Sequence, residues 1–274
     1  LTLIRSYFAG CFKILCYPIF LMLGVALIIA ATDIQANEHY LRFGFGLDHP
    51  ESTYFHDEYC SISKPLLYSC EPGFDGFPVR RSVGNFGNIP VVEFGIGYPN
   101  GRSRWELLIE YRPSFSFSGN ATYGDGSFEQ VASAKNISSL AGMVAGYIDF
   151  SGNGNAVPFV GAGLGIAQNR MKEFQIRFPS TTTIVPGAKK TNLAWMITAG
   201  IGFKLDKNKT LDLAWHYTDL GLLYTGPNGR NYCNRPNEGL GCVYPGQLRR
   251  HLTHIPTVAE LKGHGIRLSL RIKI

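Results

Sequence analysis

The chain has 274 residues, with 26 Lys and Arg against 20 Asp and Glu for a formal charge of +6, and is 45% hydrophobic and 17% charged. These proportions are ordinary or slightly apolar, long enough for one large or two small domains, and neither demand nor forbid a membrane protein. The 32 glycines decide more, because many stand inside periodic segments, which suits a tightly curved sheet and argues against helices.

Residues 1–36 read as an export signal. Arg5 and Lys13 give a positive start, Ile14 to Ala31 an apolar run, and Ile34-Gln35-Ala36 a small-residue cleavage point, which leaves 37–274 as the mature chain. An uncleaved anchor is the alternative, since about 18 apolar residues reach the lower limit of a spanning helix; Pro18 and Gly24 interrupt the run. Phe8-Ala9-Gly10-Cys11 is similar to a lipoprotein box but precedes the apolar run. Removing the signal takes Cys11 and Cys16 and leaves two close pairs, for which local bridges Cys60–Cys70 and Cys233–Cys242 are the simplest expectation in an exported protein. A zinc site competes with this, but neither pair has C-x-x-C spacing.

In the mature chain, Tyr40 to Leu47 sets Leu41, Phe43, Phe45 and Leu47 against Arg42, Gly44 and Gly46, the alternation of a β-strand with one apolar face. Asp48 to Gly87 has no periodicity and reads as a long loop. Ile89 to Tyr98 and Arg104 to Arg112 alternate again around the turn Pro99-Asn100-Gly101, and place Glu93, Arg104, Glu106, Glu110 and Arg112 on one side. Phe115 to Asn136 reads as a second long loop. Leu140 to Phe150 follows, with Asp149 on the polar side, then the turn Ser151 to Asn155.

Val157 to Ala167 puts Val160, Ala162, Leu164 and Ile166 opposite Phe159, Gly161, Gly163 and Gly165. These glycines are spaced by two and precede no helix, so they are not a phosphate loop. Arg170 to Lys190 reads as a third, basic loop. Leu193 to Phe203 and Leu211 to Tyr217 form another pair around the turn Asp206 to Lys209, with Met196, Thr198, Lys204, Asp212 and His216 on the polar side. Asp219 to Leu261 is the fourth long loop. The terminal segment sets Ile266, Leu268, Leu270, Ile272 and Ile274 against Arg267, Ser269, Arg271 and Lys273.

Eight such strands, joined alternately by long loops and short turns, predict an all-β fold: an eight-stranded antiparallel up-and-down transmembrane β-barrel with four long extracellular loops and three short periplasmic turns. Tyr98, Trp105, Tyr111, Trp195, Trp215 and Tyr217 fall near strand ends or on outward rows, where girdle aromatics are expected. The inner face is expected to hold Arg42, Glu93, Arg104, Glu106, Glu110, Arg112, Asp149, Lys204, Asp212, His216, Arg267, Arg271 and Lys273. Five acids and seven bases in so narrow a lumen predict a salt-bridged plug and no large channel.

Two of these strands also carry a resemblance. Pro158 to Gly165 looks like the glycine-rich fifth strand, and Leu211 to Gly221 is similar to the penultimate strand, of the opacity-type and surface-antigen small outer-membrane β-barrels of Gram-negative bacteria. The resemblance covers Tyr40 to Ile274 and implies a bacterial outer-membrane location, with members acting as adhesins, antigens, small pores or structural barrels. Members usually end in an aromatic residue, where this sequence has Ile274.

The expected function is therefore a non-enzymatic surface barrel, a monomer without cofactor or metal. Its basic loop residues, including Lys189, Lys190, Arg249 and Arg250, suit anionic partners such as lipopolysaccharide phosphates or host-cell glycans or proteins; nucleic acid does not fit an exported protein. A small pore is the alternative. A lipid A hydrolase is another, because His216-Tyr217-Thr218 resembles the His-x-Ser of lipid A deacylase barrels. Threonine replaces serine there, and the alternation turns His216 and Thr218 toward the lumen.

Overall fold

The computed structural model describes residues 39–59, 81–122, 130–150, 154–235 and 243–274, with backbone alone at 121, 122 and 130. The expected signal and Cys60, Cys70 and Cys242 lie outside the described residues. Eight long strands carry the fold: β1 Tyr40–Pro50, β4 Ile89–Asn100, β5 Ser103–Thr122, β6 Gln130–Asp149, β7 Ala156–Arg170, β10 Lys189–Lys204, β11 Lys209–Tyr224 and β14 Thr257–Lys273. Six short ones accompany them: β2 Thr53–Asp57, β3 Arg81–Asn85, β8 Glu173–Arg177, β9 Thr181–Pro186, β12 Asn228–Cys233 and β13 Leu248–Thr253.

The long strands pair antiparallel in the closed order β1, β4, β5, β6, β7, β10, β11, β14 and back to β1. Closure runs the full length of β1, from Tyr40 opposite Lys273 to Pro50 opposite Gly263. Tyr40, Lys273 and the short turns share one end of the ring. One turn uses Gly101 at φ 63°, and another is held by Asp206 Oδ1, which accepts from the Asn208 and Lys209 amides at 2.7 and 2.8 Å.

The four segments expected as long loops contain strands. In the described part of Phe115 to Asn136, β5 and β6 continue pairing, with register shifts between Arg112, Phe115 and Phe117 and Asn136 at φ 55°. The short strands sit in the other three segments and extend the wall beyond the ring, β14 to β2 to β3 to β5 and β6 to β8 to β9 to β12 to β13. We call the ring the base and this extension the head.

Side-chain polarity reverses between them. In the base, the outward rows are apolar and exposed, including Phe43, Phe45, Ile96, Trp105, Ile109, Leu164, Trp195, Leu213 and Ile266, while arginines and carboxylates point inward. In β5 above Arg112, Phe115 and Phe117 are buried and Ser114, Ser116 and Ser118 are exposed. The same reversal occurs on β14, where outward Ile266 gives way to His264, Lys262 and Glu260 and inward Arg267 to Leu261 and Ala259. A face that alternates oil-out in one half and oil-in in the other has crossed between two solvents.

The head has an ordinary hydrophobic core. Phe55 lies 4.5 Å from Phe174 and 4.9 Å from Phe117 between ring centroids, and Phe86, Ile137, Ile176, Val185, Leu223 and Leu261 join the same cluster. Burial of each such side chain contributes about 1.5–3 kcal/mol, enough to hold strands of five or six residues that would not persist alone.

Candidate functional site

The base interior is an ion network. Six carboxylates (Asp48, Glu93, Glu106, Glu110, Asp149, Asp212) meet five guanidiniums (Arg42, Arg104, Arg112, Arg267, Arg271). Arg42 sits at its centre, with Nε 2.9 Å from Glu93 and Nη1 3.3 Å from Glu106 and 3.8 Å from Asp212. Toward the turn end, Arg104 binds Glu106 at 2.5 Å and Asp149 at 3.1 Å, and Arg271 grips Asp212 through two nitrogens at 2.7 and 2.9 Å. Toward the head, Arg112 bridges Asp48 at 2.7 Å and Glu110 at 2.8 Å, and Arg267 reaches Asp48 at 2.6 Å.

Both ends of this interior are covered. At the turn end the Arg104 guanidinium lies over Tyr147 at 4.0 Å and Phe159 at 4.7 Å, and Tyr40 donates its hydroxyl to Glu106 at 2.5 Å. The inner glycines make this possible: a Cβ at Gly161 would run into the Tyr147 ring and one at Gly97 into Tyr40. At the other end, the void bounded by Asp48, Arg112, Thr218, Leu220 and Leu261 measures about 10 Å³, roughly room for one water, and the head's core lies above it.

Of the residues expected inside, Arg42, Glu93, Arg104, Glu106, Glu110, Arg112, Asp212, His216 and Arg267 are buried, and Asp149 and Arg271 border the turn-end mouth. Lys204 and Lys273, also expected inside, are not buried. Each is the last residue of its strand, exposed at the rim opposite Thr210 and Tyr40. The reading of the sequence missed Asp48, because it ended the first strand at Leu47. The alternation of Tyr40, Arg42, Gly44 and Gly46 continues through Asp48 and would have found it.

His216 and Thr218 are both buried inside the ring, and no hydrogen bond joins them among the described residues. Lys189 and Lys190 stand on a strand rather than a loop, at the start of β10. Lys189 faces outward beside Arg170, and Lys190 lies over the Tyr224 ring at 4.6 Å. Arg249 and Arg250 are exposed on β13, which does not pair with β10. Cys233 is disulfide-bonded, its partner being outside the described residues.

Within the head, His254 donates from Nδ1 to the Ile255 carbonyl at 2.7 Å, and its Nε2 has no hydrogen-bond partner among the described residues. Burial holds its pKa below the ordinary 6.5. Because the folded value is the lower one, the unfolded chain takes up the proton first, so stability is full above about pH 6.5, declines as pH falls toward the folded pKa, and is flat below it. Once rates are divided by the intrinsic base-catalysed exchange rate at each pH, the protection of the β12 and β13 amides is expected to be lower at about pH 5 than at about pH 7.5, and His254→Gln, which keeps a donor to Ile255, is expected to shrink that difference.

The class is defined by the pairing: an eight-stranded antiparallel up-and-down barrel. No family model matches the chain, and no curated protein matches it. Among solved structures it is similar to the outer membrane protein OprG from Pseudomonas aeruginosa, at 11% identity and a TM-score of 0.47 over 88% of this chain and 97% of that one. Neisserial surface protein A gives 12% identity and a TM-score of 0.34 over 86% and 97%. The outer membrane protease OmpT from Escherichia coli gives 8% and 0.39 over 89% and 100%.

Proposed function

We propose that this chain is a non-enzymatic surface protein of the Gram-negative outer membrane, of the opacity type. Its base is closed and embedded in lipid, and its head faces the exterior and binds anionic ligands. The reversal of polarity between base and head supports this reading most directly. An apolar belt around a charged interior is stable only where the surroundings are oil, and serines outside a phenylalanine core only where they are water.

The interior supports a structural role over a pore. Its guanidiniums and carboxylates are engaged with one another, aromatic rings cover the turn end, and the head's core covers the other. Planar bilayers containing the purified protein are expected to show no stable openings; openings that shift when Arg267 or Glu106 is replaced would mean that the lumen conducts. The burial of His216 and Thr218 without a mutual hydrogen bond supports a non-enzymatic role, since a base and nucleophile acting on lipid need contact with each other and with the membrane.

Charge supports an anionic ligand. In the described residues 170–190, 228–235 and 243–253 there are nine bases, among them Lys189, Lys190, Arg249 and Arg250, against the single acid Glu173. Lipopolysaccharide phosphates and acidic host glycans both match this surface.

A further inference from the structure

The outer face of β8, β9, β12 and β13 is a cleft of about 560 Å³ lined by Lys172, Glu173, Ile184, Pro186, Asn228, Arg230, Tyr232, His251 and Thr253. Its floor is laid out by register. Arg230 stands between Ile184 on β9 and His251 on β13; Asn228 lies opposite Thr253, and Pro186 opposite Glu173. With about 4.8 Å between strands and about 7 Å between alternate residues along them, these side chains share a patch the size of one or two sugar rings.

The chemistry of the patch is mixed in a specific way. Arg230 and Lys172 supply positive charge, and no ion pair engages either of them among the described residues. Glu173 accepts from Gln175 at 2.7 Å and keeps acceptor capacity at the cleft's edge. Ile184, Pro186 and the Tyr232 ring offer apolar surface. A bare phosphate or sulfate would gain from Arg230 and Lys172 but would meet repulsion at Glu173 and nothing useful at Tyr232. A hydrophobic ligand would strand the charges.

We propose that this cleft binds an acidic sugar: its carboxylate or sulfate on Arg230 and Lys172, its hydroxyls on Glu173, Asn228 and Thr253, and a C–H face of the ring on Tyr232 and Pro186. This rests on the reading of the head as an anion-binding surface and narrows it to one site and one ligand class. Arg249 and Arg250, although more conspicuous in sequence, do not line the cleft.

The test is titration of the full chain in detergent micelles with glucuronic acid, glucose 6-sulfate, glucose and inorganic sulfate, followed by saturation-transfer NMR. Glucuronic acid or glucose 6-sulfate is expected to bind, with glucose at least about tenfold weaker for want of the charge-assisted contact and inorganic sulfate at least about tenfold weaker for want of the hydroxyl and ring contacts. Arg230→Gln is expected to weaken the acidic sugar at least about tenfold, while the double variant Arg249→Gln/Arg250→Gln leaves it unchanged; all three side chains are exposed, and unchanged heat-dependent gel mobility verifies folding. Inorganic sulfate binding as well as the sugars, or no effect of Arg230→Gln, would overturn the proposal. A heparin column separates the two readings. Retention that depends on Arg249 and Arg250, without sugar binding, removes the cleft and keeps the anion-binding head; absence of both removes both.

Discussion

Replacing Arg42 with methionine will destabilise the barrel by about 3–5 kcal/mol, the cost of leaving buried charge without its partner. Arg42 is fully buried and contacts Glu93, Glu106 and Asp212, and its removal exposes Glu93 and Glu106 to one another's field in a space with little water. Urea unfolding in lipid vesicles measures the loss. The intact pair need not contribute much relative to an apolar pair of the same shape, because desolvation offsets its attraction. The double variant Arg42→Met/Glu93→Gln should therefore recover part of the deficit, and strict additivity would show that the two side chains do not act together. Arg271→Met, at the mouth where its side chain is 14% exposed, should cost less than Arg42→Met.

The second large effect concerns where oil ends and water begins. Leu164→Arg, at a position 64% exposed near the middle of the apolar belt, is expected to cost about 2–4 kcal/mol when the barrel is unfolded from vesicles, because the charge enters hydrocarbon. Ser116→Arg, equally outward on β5 but in the head, should fall within about 0.5 kcal/mol of wild type. Equal costs at the two positions would mean that belt and head share one solvent, and the membrane reading would fall.

The eight long strands could be read in the sequence because alternation of Leu, Phe and Ile with Gly, Arg and Glu is strong where one face meets lipid. The head could not. Its clearest signal, Ser114-Phe115-Ser116-Phe117-Ser118, alternates as regularly as the belt but with the opposite sense and after a change of register, so a search for apolar-out rows meets it as a break. β2, β3, β8, β9, β12 and β13 span five or six residues each, too short for periodicity to stand out from polar, Gly-rich and Pro-rich surroundings. The partners within the interior needed three dimensions as well. Arg104 and Glu106 are two residues apart on one strand, but Arg267 on the last strand finds Asp48 on the first, and only closure of the ring makes that pair. Nothing in residues 172, 230 and 251 announces a shared cleft, since they come from three separate segments that register alone brings side by side.

The continuity of β5 and β6 through both halves of the molecule has a mechanical meaning. From Phe115 to Thr122 the strand runs on for about 26 Å at about 3.3 Å per residue, which at barrel tilt raises its tip roughly 20 Å above the belt. The described part of the hairpin is thus a wall and not a tether, flanked by β3 as far as Thr122 and by β8 as far as Val131. A floppy arm would sweep a volume and give up that freedom on each encounter, at about 1–2 kcal/mol for every backbone residue ordered, whereas a pleated wall stands at a set altitude with its freedom already spent during folding. On the proposed reading, what this protein touches is selected by height as well as by chemistry, because the wall that rises to Thr122 and Val131 is set by pairing along its whole described length.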